Sequence, residues 1–162
     1  MYVPNIIEQN IHSYKNPKTN RTNTKKFPDN TKSDIAVELA YKLISEGNIL
    51  IFTSQAQFSL SIGKSFLRLF ELKNLVNEEI DSNFKNNGKL LSLNISEKLL
   101  GKNHDVSKCL RYNIGIHNGD LPEELRKSIE SDFKNRKLKV LIATKTISQG
   151  QCCIRAGNVE FI

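Results

Sequence analysis

Three short clusters in this 162-residue chain gather small, hydroxyl and amide residues where an apolar run gives way to an amphipathic stretch: Thr53–Gln55, His117–Asp120 and Thr144–Thr146. Such residues hydrogen-bond phosphate oxygens through their side chains and free backbone N–H groups. The chemistry on offer is therefore contact with a sugar-phosphate backbone rather than bond making. Each cluster has a plainer reading, in which Ser54, Asp120 and Thr146 cap helices. No residue is assigned a catalytic role.

Other groups that invite a chemical reading fall short of one. Ile62-Gly63-Lys64-Ser65 ends like a phosphate-binding loop, but GxxxxGK[ST] needs a glycine where Phe58 stands. The tetrapeptide is also expected inside a helix, whose N–H groups are already used. His117 has no cysteine or carboxylate at ligand spacing, so no metal is expected there and a packing role is preferred. Cys109, Cys152 and Cys153 are odd in number, with two adjacent, which fits reduced thiols and neither a disulfide framework nor a zinc pattern.

The elements that must position the clusters follow from periodicity. Ala36, Leu39, Ala40, Leu43 and Ile44 recur at helical spacing from Asp34 onward, and Gly47 closes that helix. Ile49–Phe52 is a continuous apolar run, as expected of a strand covered on both faces. Phe58, Ile62, Phe66, Leu69 and Phe70 form a stripe on the next helix, with Ser54 and Gln57 at capping-box spacing. Residues 71–112 carry apolar positions but no motif. A strand follows over Asn113–His117, then a Gly119-Asp120 turn and a helix opened by Pro122, Glu123 and Glu124, with Leu125, Ile129 and Phe133 inward. Leu138–Ala143 is a second buried strand, a short helical turn is expected after Thr144, and a last strand spans Val159–Ile162. Repeated β-α-β units predict an α/β fold with a parallel sheet flanked by helices. In such a sheet ligands gather outside the carboxyl ends of the strands, where all three clusters fall.

Composition sets the frame. The net charge of +7 favours a polyanionic partner, because cations near phosphates release condensed counterions. Six basic residues against Glu8 and Asp29 put +4 of that charge before Asp34, in a stretch rich in Asn, Thr, Lys and Pro that reads as a mobile basic linker or arm over residues 1–33. Residues 34–162 form the folded domain. No apolar run approaches the roughly 18 residues of a membrane span, and no signal-peptide stretch is present, so a cytoplasmic protein without membrane contact is expected.

NILIFTSQ (Asn48–Gln55), GIHNGDLPEELRKSIESDF (Gly115–Phe133) and KVLIATKTISQG (Lys139–Gly150) stand in the order of motif IV, the segment before motif V, and motif V of superfamily-two helicases. Over residues 34–162 the chain resembles the second RecA-like lobe of that family, and is similar to DEAD-box RNA helicases and the Ski-type branch.

The resemblance implies that Ser54, Gln55, Gly119, Thr144 and Lys145 line a track for one strand of RNA or DNA, with Gly150 on the ATP side. It implies a first RecA-like lobe as partner, with ATP and Mg2+ bound by the completed pair. Arg126 matches a family arginine, for which a structural tie of helix to sheet is preferred. The chain departs from the pattern at Gln151-Cys152-Cys153-Ile154-Arg155, and Arg155 lacks the neighbours of an arginine finger. Motif VI is expected after Ile162, so the lobe is expected to be incomplete at its C-terminus and, alone, to hydrolyse little or no ATP. The competing expectation is a non-catalytic nucleic-acid-binding or regulatory module derived from such a lobe. A small doubly wound nucleotide-binding domain is disfavoured, since no glycine fingerprint follows the first strand.

Overall fold

The computed structural model describes residues 10–29, 31–85, 90–144 and 160–161. Lys145, Gly150, Cys152, Cys153, Arg155 and the turn expected after Thr144 lie outside them.

In chain order the elements are β1 (Asn10–Lys15), β2 (Thr22–Phe27), α1 (Lys32–Leu43), β3 (Ile49–Thr53), α2 (Ala56–Leu75), α3 (Leu91–Leu99), α4 (Asp105–Leu110), β4 (Ile114–His117), α5 (Glu123–Lys134), β5 (Val140–Thr144) and β6 (Glu160–Phe161). The main sheet runs β4-β5-β3-β6. Every pairing in it is parallel. The α/β parallel architecture read from the sequence is the one the chain adopts.

Register fixes which residues share a face. Ile116 and Ile51 both lie opposite Ile142, while Gly115 and Leu50 both lie opposite Leu141. The Ile face takes α2: a Cβ added to Gly63 would stand 2.6 Å from Ile116 Cδ1 and 3.2 Å from Cys109 Sγ. The Gly115 face takes α5, since a Cβ there would stand 3.0 Å from Ile129 Cγ2. Gly63 is thus helix interior, and its missing side chain lets α2 approach the sheet. That is the packing role left once a phosphate loop is excluded.

The core joins Val140–Ala143 of β5, the α5 stripe of Leu125, Ile129 and Phe133, and an aromatic group of Phe66, Phe70 and Phe84. Burying each such side chain stabilises the fold by about 1.5–3 kcal/mol. Phe84, in the stretch where sequence gave no motif, sits on a single helical turn over Ser82–Phe84 and stacks on Tyr41 of α1 at 5.3 Å. Nearby, α5 supplies Asp132, whose Oδ2 accepts from Ser92 N at 2.9 Å and Ser92 Oγ at 2.7 Å, capping the first turn of α3.

Three expectations need correction. Residues 1–33 were expected as an arm without pairing, yet β1 and β2 form an antiparallel hairpin and Phe27 is buried in the core. Full cover of both faces fails on β3, where Phe52 is 42% exposed, while α5 packs on β4. Phe58 is 46% exposed, since the buried side of α2 at that turn runs through Ser59, Ile62 and Gly63, one residue round the helix. No helix of the described residues is long and apolar enough to cross a membrane.

Candidate nucleic-acid interface

The carboxyl ends of the three central strands meet at one edge of the sheet. Thr53 lies opposite Thr144, and His117 opposite Ala143, so the residues that follow β3 and β4 and the end of β5 are brought together by register alone. Ser54, Gln55 and Gly119 are exposed there, whereas Thr144 is buried. Lys145 follows directly in sequence, outside the described residues.

The turn after β3 does not form the capping box expected of Ser54 and Gln57. Gln55 is the N-cap of α2, without a side-chain cap bond. Thr53 Oγ1 donates to Gln55 O at 3.2 Å, and Gln57 Nε2 donates to Gln55 Oε1 at 2.6 Å. The Gln57 amide is thereby turned to a neighbour instead of back to Ser54. Phe58 N already donates to Gln55 O at 3.1 Å, which leaves the N–H groups of Ala56 and Gln57 without an acceptor among the described residues, and no acidic residue lies in that first turn.

The turn after β4 is built differently. Asn118 is buried; its Nδ2 donates to Ser59 Oγ at 2.9 Å, and its Oδ1 accepts from Asp120 N at 3.1 Å. Ser59 Oγ in turn donates to Ala56 O at 2.6 Å. This chain of bonds ties the two turns to each other, with Gly119 next in sequence to the residue bonded to the first turn of α2. The helix that follows is a poor anion site: Pro122 at its N-cap has no N–H, and Glu123 and Glu124 fill the first turn with negative charge. Of the two helix starts, α2 is the one whose field suits a phosphate.

His117 is buried, with Nε2 2.6 Å from Glu130 Oε1 on α5. It joins strand to helix, in keeping with the packing role preferred for it. Arg126, one turn into α5, is half-buried, and its Nε has no hydrogen-bond partner among the described residues. Among those residues no group of three or more His, Cys, Asp or Glu is placed to hold a metal ion. Gly63 lies inside α2, so Ile62–Ser65 does not form a phosphate loop.

Sequence reasoning did not single out the bond from Asn118 to Ser59, which sets the spacing of the two turns. The signal was present in Asn118-Gly119-Asp120, because asparagine commonly bonds the backbone two residues on.

The conserved C-terminal domain of helicases matches residues 71–152. The Hachiman protein HamB of Bacillus cereus is 32% identical over 126 residues, covering 78% of this chain and 11% of that protein. The ATP-dependent DNA helicase Hel308 of Thermoplasma volcanium is 27% identical over 121 residues, covering 74% of this chain and 16% of the helicase. Hel308 of Methanococcus vannielii is 22% identical over 151 residues, covering 89% of this chain and 18% of the helicase. The chain therefore spans less than a fifth of the length of these relatives.

Proposed function

Given that the chain belongs to the helicase conserved C-terminal domain family, we propose that it is a motor lobe that grips one strand of DNA or RNA through its sugar-phosphate backbone. In this proposal it completes an ATP and Mg2+ site with a first RecA-like lobe, in a cytoplasmic protein. The observation that carries the reading is the convergence of Ser54, Gln55 and Gly119 at one sheet edge, beside an α2 start free of acidic side chains. The similarity to ATP-dependent DNA helicases supports ATP and DNA.

A lobe that holds backbone phosphates binds without sequence preference and weakens with salt. Differential grip in the closed and open states of two lobes then turns hydrolysis into stepping along the strand. The test is fluorescence anisotropy on labelled single-stranded oligonucleotides of unrelated sequence, with Gln55→Ala and Lys145→Ala combined. Affinity should fall by a similar factor for every sequence, and unaltered affinity would remove this assignment.

A further inference from the structure

Residues 10–28 contain Lys15, Lys18, Arg21, Lys25 and Lys26 and no acidic residue. All five cations are exposed. Elsewhere in the lobe several cations have carboxylate partners, such as Lys73 with Glu78 at 3.0 Å, Arg111 with Glu97 at 2.7 Å and Lys127 with Glu123 at 2.6 Å. In the hairpin, Lys25 lies over the Tyr14 ring at 5.9 Å, while Lys15, Lys18, Arg21 and Lys26 enter no ion pair among the described residues. Unneutralised like charge on a narrow two-stranded ribbon repels itself, which is a standing cost that a polyanion relieves.

The ribbon is firmly based. Phe27 is buried in the core, Asp29 N donates to Asp34 Oδ2 at 3.0 Å, and the same buried carboxylate takes the Arg68 guanidinium, which lies 5.7 Å from the Phe27 ring centroid. Further along, His12 Nδ1 lies 3.5 Å from Glu78 Oε1, just past the end of α2. The strand pair therefore passes from Arg68 toward the C-terminal end of α2, with its turn at Asn16–Arg21 beyond. That end is about 30 Å from the sheet edge where α2 begins, since the helix has 20 residues.

Alternation along the register turns His12 and Lys25 toward one side and Ser13, Lys15, Thr22, Thr24 and Lys26 toward the other. The outward side thus interleaves lysines with hydroxyls, the residue types that contact phosphates. It offers no exposed aromatic ring on which unpaired bases could stack, and only Ile11 as an apolar anchor for a protein partner. We propose that this hairpin is a second nucleic-acid contact, which holds the phosphate backbone of duplex roughly nine base pairs from the strand at the sheet edge. A two-stranded ribbon has the width that a duplex groove admits. The proposal rests on the backbone-gripping role of the sheet edge, but uses none of the same residues.

The test compares a short single-stranded oligonucleotide with the same oligonucleotide carrying a duplex of about 15 base pairs, over a salt series. The full chain is used, unaltered and as Lys15→Thr, Lys18→Ser, Arg21→Thr, Lys26→Thr. Four phosphate contacts correspond to about 3.6 in the slope of log K against log salt, so from about 50 to 200 mM salt the unaltered chain should lose roughly a hundredfold more affinity for the tailed duplex than the variant does. The unaltered chain should show the same slope difference between the two probes, so the proposal does not depend on how the variant folds. Equal slopes for both probes, or equal loss on the short oligonucleotide, would overturn it. So would matching binding and matching loss on polyglutamate, which would mark the hairpin as a general polyanion site. The Gln55→Ala, Lys145→Ala chain separates the two readings: it should lose the short oligonucleotide and keep the duplex-dependent slope.

Discussion

Replacing Gly63 by alanine tests whether this glycine serves packing, and the structure sets the size of the effect. An alanine in mid-helix gains roughly 0.8–1.0 kcal/mol over glycine. Against that, its Cβ would stand 2.6 Å from Ile116 Cδ1, far inside contact distance, in a core where overpacking costs about 1–3 kcal/mol. Gly63→Ala alone should therefore destabilise by about 1 kcal/mol. Ile116→Val removes that Cδ1, leaving Ile116 Cγ1 at 3.5 Å, an ordinary contact, and alone should cost about 1 kcal/mol as a lost buried methyl. Together the two should not add. The 2.6 Å clash disappears and only the 3.2 Å approach to Cys109 Sγ is left while the helix gain remains, so the double variant should be within about 0.5 kcal/mol of the unaltered chain, a coupling of about 1.5–2 kcal/mol. Urea unfolding followed by far-UV circular dichroism on all four chains measures it. Additivity, or a Gly63→Ala chain more stable than the parent, would refute the close-approach argument.

Two further outcomes are expected. Asp132→Ala leaves Ser92 N and Oγ without their buried acceptor and should cost about 2 kcal/mol, lowering the thermal midpoint by roughly 5 °C. An unchanged melting curve would mean that the start of α3 is held by something else. Burial, and to a lesser degree Asp105, pushes the Cys109 thiol well above its ordinary value of 9.0, so the folded chain keeps this proton where the unfolded chain releases it. Stability from this group is full below pH 9 and declines as pH rises past it, and iodoacetamide should label Cys109 only after denaturant is added, as read by peptide mass spectrometry.

How far the fold could be read from sequence depended on whether local pattern and packing agreed. Leu125, Ile129 and Phe133 repeat at helical spacing behind Pro122, and all three are buried. The runs that became β3 and β5 were legible for the same reason. The hairpin was not, because its strands are polar and basic and its base is held by Phe27 in the core and by Arg68, which lies over that ring and on Asp34 and is distant in sequence. Phe58 misled because apolar type alone defined the stripe, whereas the side of α2 nearest the sheet is made of Ser59 and Gly63, residues small enough for close approach. At the sheet edge, Ser54, Gln55 and Gly119 could be placed from strand ends. The Asn118 to Ser59 bond that sets their spacing spans 59 residues and leaves no local periodicity.

The two glycines that let helices close on β4 from opposite faces have a mechanical consequence. Gly63 of α2 lets that helix close on Ile116 of β4, and Gly115 of β4 lets Ile129 of α5 close on the strand from the other face, so β4 is clamped with less than a methyl group of clearance on each side. Such a sandwich has little compliance normal to the sheet. A pull on the edge loops would pass along α2 with little bending, and in the motor proposed above the give under load would have to come from its joints rather than from the body of this lobe.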